Sequence, residues 1–436
     1  MTIPPSSTIG NTAAEQTGVT SRRLAARIDA VQPSPLAGAA VAFLFLSSGI
    51  GLLLGELGSS ASQYLVQFLG PVGLWLAATV LNRQPISSAD SHRLNLALIF
   101  VSTMACLSAT SNLFDPVLND RALLACLMKT GGMVFVFTAM ARYASCFTEG
   151  EVRFGLTLFA ALEFASIGIA YLAGLGINEN AVGVRLATSG LVFYSLKPPT
   201  LAKRVTWLTS LAAAFWLQCR TSMVASVAAV VAQHLEKKTR GARGSLIAMA
   251  IVAILTLTVL GNEIADGLHN AALRNLHSSN PIARFFLSDK SRDDLSGDFL
   301  DRTEVWAVMF QKVMDRPLLG YGIGSEAALF RMRSHNAYLS LLVEGGVGFL
   351  LGWLAVYGTF VYQTCDLRWT SRFADTSIGR CQVVLFSYLV LAAAVESSGV
   401  GSIATPNNAI FMFCTIWVAS RLALVNSADP ETSRQS

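Results

Sequence analysis

Six side chains in this sequence combine chemical capability with an awkward setting. They are Arg220 in "LQCRTS", Arg302 in "LDRTEVW", and Arg331, Arg333, His335 and Asn336 in "RMRSHNAYLSLLVEGG". Arginine stays charged and presents a planar fork that grips phosphate or carboxylate oxygens in pairs. Histidine exchanges a proton near neutral pH, so it can serve or orient a reacting hydroxyl. Arg220 interrupts the apolar flanks "LAAAFWLQC" and "TSMVASVAAVV", where a charge is expensive and as a rule functional. Its plainer alternative is an interfacial anchor reaching the headgroups. Arg302 and His335, taken alone, read better as ordinary surface residues.

The elements that must hold these groups are membrane helices. Of the 436 residues, 53% are hydrophobic and only 14% charged, against about 25% charged in a soluble domain. The mean hydropathy is +0.51. We read an all-α, polytopic membrane helical bundle of about twelve transmembrane helices with one large periplasmic loop. A span needs about 20 apolar residues, and candidates fall at 36–55, 63–81, 94–111, 121–141, 154–175, 186–198, 205–219, 221–234, 244–262, 337–364, 382–399 and 408–425. Those at 186–198, 205–219 and 221–234 are short for a bilayer and could be tilted or broken. The expected divisions are a cytoplasmic polar N-terminus at 1–35, which lacks a signal peptide's features, a bundle at 36–262, the loop at 263–336, C-terminal helices at 337–425 and a cytoplasmic tail at 426–436. The seven cysteines sit in or beside apolar runs and suggest no disulfide framework.

Basic residues set the orientation. With the N-terminus inside, short cytoplasmic segments collect nineteen of the 32 lysines and arginines, among them Lys237, Lys238, Arg240 and Arg243. Segment 263–336 is the exception, with nine basic and ten acidic residues. Long loops translocate regardless of charge, so it belongs outside.

Within that loop Asp301 and Glu304 form a capping-box pattern, followed by Val305, Trp306, Met309 and Val313 at helical spacing. This predicts an amphipathic helix on the outer membrane surface. Pro317 ends it, and Gly320, Gly322 and Gly324 permit tight turns or close approach to a ligand. No strand precedes these glycines, so they are no dinucleotide fingerprint. No histidine or carboxylate spacing suggests a metal, and no cofactor is expected. Lys129, Glu163 and Glu396 lie inside apolar runs, where pairing with one another or with carbonyls is their default role. Arg185 reads as an anchor near the outer surface.

Arg220, the Arg302-x-x-x-Trp306 helix, Pro317-x-x-Gly320-x-Gly322 and "HNAYLSLLVEGG" from His335 to Gly346 together resemble the O-antigen ligase and polymerase superfamily, including its exopolysaccharide polymerases. The likeness covers roughly 178–365 by motif, and the whole chain by span count. It implies a metal-independent glycosyltransferase of the bacterial inner membrane, with its active site on the periplasmic face. Such an enzyme takes a glycan from undecaprenyl diphosphate and passes it to an acceptor hydroxyl. Carried over residue by residue, the resemblance makes Arg220, Arg302 and His335 catalytic. Arg220, Arg302, Arg331, Arg333, Asn336 and Gly322 would bind substrate, and Glu344 would pack or hydrogen-bond.

The partners implied are the undecaprenyl-diphosphate-linked glycan, an acceptor glycan or lipid A core, and membrane lipids. Polysaccharide export and chain-length proteins are candidates, and nucleic acid is not. A repeat-unit polymerase is favoured by analogy with the exopolysaccharide branch, with an O-antigen ligase as the alternative. A transporter or flippase of lipid-linked sugars would place coupling charges at the midplane in repeated halves. Here the polar residues gather in one loop.

Overall fold

The computed structural model describes residues 33–56, 60–85, 89–114, 117–172, 179–196, 200–216, 219–238, 305–326, 329, 336–365, 376–393 and 406–426. Among them the regular structure is entirely helical. We number the helices α1 (Pro35–Glu56), α2 (Ser60–Val80), α3 (Ala89–Phe114), α4 (Asp120–Tyr143), α5 (Glu149–Leu172), α6 (Glu179–Ser195), α7 (Leu201–Trp216) and α8 (Arg220–Lys238). Then come α9 (305–315), α10 (Ala337–Cys365), α11 (Ser377–Ala393) and α12 (Pro406–Asn426). A helix lies at every expected span but 244–262, which is outside the described residues. Among the described residues four stretches are long and apolar enough to cross a bilayer by length and composition: His92–Phe114, Asp120–Cys146, Glu149–Leu172 and Ala337–Gln363. The protein is a helical membrane protein.

Between membrane helices the hydrophobic effect supplies little, so close packing and internal hydrogen bonds hold the bundle. Aromatic rings fill the core. Phe45 of α1 meets Phe159 of α5 and Phe413 of α12 edge-on, with centroids 5.9 and 5.5 Å apart. Trp353, Phe360 and Phe411 extend this core through α10 and α12. Cys126, Cys146, Cys219, Cys381 and Cys414 are buried free thiols, and Cys106 is an exposed one.

One polar knot ties the helix ends of this half. Thr148 and Glu151 open α5 as a reciprocal capping box: the Thr148 N–H donates to Glu151 Oε2 (2.8 Å) and the Glu151 N–H to Thr148 Oγ1 (3.3 Å). Glu151 Oε1 also accepts the Ser34 N–H (2.9 Å) and Arg83 Nη2 (2.8 Å). Next door, the Phe147 carbonyl accepts Trp417 Nε1 (2.9 Å) and Arg421 Nη2 (3.2 Å) from α12.

The expected span 337–364 proves to be two helices. Gly346 lies at φ 69° and ψ −174°, a region open in practice only to glycine, and it divides α10 into α10a (337–345) and α10b (347–365). The α10b half is itself about 28 Å long, close to the roughly 30 Å of a hydrocarbon core. It packs tightly on α3, where Gly348 makes room for Met104 and Gly352 for Val101 and Phe100.

Candidate functional site

A helix broken inside a membrane protein frees backbone groups that lipid cannot satisfy. In an unbroken α10 the Val343 carbonyl would accept the Val347 N–H. Instead it accepts the Tyr321 N–H (2.9 Å), the Glu344 carbonyl accepts the Gly322 N–H (2.7 Å), and the Val347 N–H donates to the Pro317 carbonyl (2.8 Å). The segment 317–322 is thus wedged into the break. Backbone approaches backbone so closely that a Cβ on Gly320 would overlap Val343 and Glu344, and one on Gly346 would overlap Leu318. Gly320, Gly322 and Gly324 all have positive φ (62°, 95° and 85°), which explains a glycine at every second position.

Side chains from α3 reinforce the wedge. Ser108 Oγ donates to the Glu344 carbonyl (2.7 Å). Asn112, fully buried, donates through Nδ2 to the Tyr321 carbonyl (2.7 Å). Its Oδ1 accepts Arg316 Nη1 (3.4 Å), whose guanidinium lies 5.0 Å from the Tyr321 ring centroid. From α4, Lys129 runs beneath Gly324. On α10a, Ser340 Oγ donates to Glu326 Oε2 (2.6 Å). Asn336 caps the helix, with Oδ1 accepting the N–H groups of Tyr338 (3.0 Å) and Leu339 (3.1 Å).

The helix α9 forms where its spacing predicts, but its buried stripe faces protein rather than lipid. Met309 and Val313 pack against Tyr321, Leu339 and Val343, while Phe310 and Met314 stay exposed. Burial holds the Tyr321 hydroxyl above the ordinary tyrosine range, and Asp315 adds to this. A hydrogen bond from Lys312 to Asp315 (3.0 Å) raises the lysine above its usual value.

Among the sequence-predicted site residues, Gly322 lies in the wedge and Asn336 at the head of α10a. Arg220 opens α8, with its side chain outside the described residues. Arg302, Arg331, Arg333 and His335 lie outside them altogether, as do Glu396, His269 and His277. Arg185 is not an anchor: it is 3% exposed and bound to Glu163, with Nη2 3.0 Å from Ser166 Oγ. Glu163 therefore pairs with Arg185 of α6 and not with Lys129. Sequence reasoning missed Ser108, Asn112, Arg316 and Glu326. The available signal was the four-residue spacing of Ser108 and Asn112 on one face of an apolar helix.

Between α3 and α4 runs a side groove of about 830 Å³. It is walled by Leu98, Ile99, Leu107, Val134 and Phe137, with Arg142 among its lining residues.

Residues 205–354 match the family model described as O-antigen ligase. No curated protein matches the chain. The matched stretch takes in the start of α8, the wedge and the break in α10, and over these residues the chain is similar to the O-antigen ligase family.

Proposed function

We propose that the protein is a periplasm-facing glycosyltransferase that moves a glycan from an undecaprenyl diphosphate carrier to an acceptor hydroxyl, working as a repeat-unit polymerase. The observation that carries this reading is the broken α10. Irregular backbone at membrane depth is tolerated where it is buried in protein or lines a cavity, and this break lies within the match to O-antigen ligase. The basic-residue bias supports the outward-facing loop.

In the reaction the acceptor oxygen attacks the anomeric carbon, and the bond from that carbon to the diphosphate oxygen breaks. His335 takes the acceptor proton or orients the hydroxyl. Arg220 and Arg302 hold the diphosphate in forked contacts and stabilise the charge that grows on it as it leaves. Arg331 and Arg333 add positive potential, while Gly322 and Asn336 line the substrate. The groove between α3 and α4 offers apolar surface for part of the lipid chain.

A deletion strain tests this reading when lipid-linked intermediates and surface polysaccharide are profiled together. A polymerase predicts that single lipid-linked repeats accumulate while polymer disappears. Accumulation of long lipid-linked chains would identify a ligase acting on lipid A core. Wild-type amounts of both would overturn the reading.

A further inference from the structure

Glu163 of α5 and Arg185 of α6 put two charges inside the bundle, away from both ends of their helices. Neither is needed to close a helix end, and Glu163 is as fully buried as Arg185. Arg185 Nε donates to Glu163 Oε1, and Nη2 donates to Ser166 Oγ. Ser166 Oγ in turn donates to the Glu163 carbonyl (2.9 Å), so one guanidinium fork holds α5 at two points a turn apart. Glu163 Oε2 has no hydrogen-bond partner among the described residues. A half-satisfied buried ion pair is a poor device for stability, since apolar side chains of similar volume would serve as well or better. Its value lies in fixing a geometry. The same helix carries that geometry to the head of α8. Two residues before Arg185, Gly183 lies so close to the α7–α8 turn that a Cβ there would overlap Cys219 and touch Ser222 Oγ. Cys219 and Ser222, both buried, bracket Arg220 at the start of α8. Tyr388 of α11 adds a hydroxyl 3.5 Å from Ser222 Oγ.

We propose that Glu163 and Arg185 are a positioning pair for Arg220, clamping α6 to α5 so that Gly183 gives the head of α8 a fixed seat. The inference rests on the functional reading above, in which Arg220 grips the diphosphate. Forked contacts between guanidinium and phosphate tolerate little displacement. Arg220 opens its helix, so its aim follows the helix head. The apolar contacts between α5 and α6, Ile167 with Val182 and Leu186, resist separation but not sliding. The two-point grip of Arg185 resists both. Removing one partner strands the other charge in the bundle. Neutralising both partners restores stability and leaves the register of α6 unfixed, so stability and activity come apart.

The test uses the full chain in lipid, with spin labels at the exposed Ile169 of α5 and Val224 of α8. The double variant Glu163→Gln/Arg185→Met should unfold at or above the native temperature, yet give a broadened label distance and a kcat lower by roughly tenfold to a hundredfold. In an Arg220→Lys background the same double change should cost less than about twofold, because the fork it positions is already gone. A merely structural role would take the same factor in both backgrounds. Native kcat in the double variant, a narrow label distance, or an equal loss in both backgrounds overturns the pair. Should the double variant fail to insert, Arg185→Lys, which keeps the charge and loses the fork, decides by the same readings. If the native chain performs no transfer, or Arg220→Lys transfers at the native rate, the functional reading fails, while the label distance still decides whether the pair fixes the head of α8.

Discussion

The knot around Glu151 and the wedge at Gly346 both bury charge within the bundle, and they use it differently. In the knot every contact closes a helix end: Glu151 holds Ser34, Thr148 and Arg83 at 2.8–2.9 Å, and the neighbouring Phe147 carbonyl ties down α12. The wedge keeps a helix open. Its hydrogen bonds satisfy a backbone that glycine conformations have deliberately interrupted, and its charges hold an irregular turn rather than a helix terminus. Substitutions in the knot should therefore cost stability, and substitutions in the wedge should cost activity.

The largest expected effect is in the knot. Glu151→Ala leaves Arg83 buried without its carboxylate and strips two N–H groups of their acceptor, a loss of about 3–5 kcal/mol. Thermal unfolding in detergent measures it, and activity per folded molecule should be unchanged. Gly346→Ala follows, with the roles reversed. Backbone strain of about 1–3 kcal/mol adds to the overlap with Leu318, and transfer activity should drop by roughly a hundredfold in protein that still inserts. If Gly346→Ala kept its transfer activity and lost more stability than Glu151→Ala, while Glu151→Ala lost specific activity, the comparison would be reversed.

How far the sequence discloses each region differs for a physical reason. Hydropathy and caps are local, so helix positions were readable, and so was the stripe of Val305, Trp306, Met309 and Val313. The Thr148–Glu151 box was equally local, although its partner Arg83 was not. The break at Gly346 has no local signature. Gly345 and Gly346 stand in an apolar run with nothing beside them to mark a break, because the segment that fills the gap lies some 25 residues upstream. Lys129 and Glu163 were read as possible mutual partners from their settings alone. Only the packing of α4, α5, α6 and α10 separates them into two different sites.

Smaller effects sharpen the contrast. Asn112→Ala removes the 2.7 Å bond to the Tyr321 carbonyl and leaves that buried acceptor short of a donor, costing about 1–3 kcal/mol. Its damage should show in kcat before it shows in unfolding. Tyr321→Phe loses only a 3.3 Å bond to the Lys312 carbonyl, less than about 1 kcal/mol. It also carries a pH signature. The raised Tyr321 hydroxyl favours the protonated form in the fold, so its contribution is present below the ordinary tyrosine range and is lost as pH rises through the raised value. Unfolding curves of Tyr321→Phe should show a shallower decline at alkaline pH than the native chain.

The most direct measurement of the function is transfer by the purified protein from an undecaprenyl-diphosphate-linked repeat in excess chelator, comparing the native chain with Arg220→Lys and His335→Ala. The native chain should extend the glycan without added metal. Arg220→Lys keeps the charge but loses the fork, and should lose roughly one to two decades in rate. His335→Ala should bind donor normally and transfer almost none of it. Full activity in normally inserted His335→Ala, or native activity that returns only with a divalent ion, would contradict an enzyme built on arginine grip and a histidine at the acceptor.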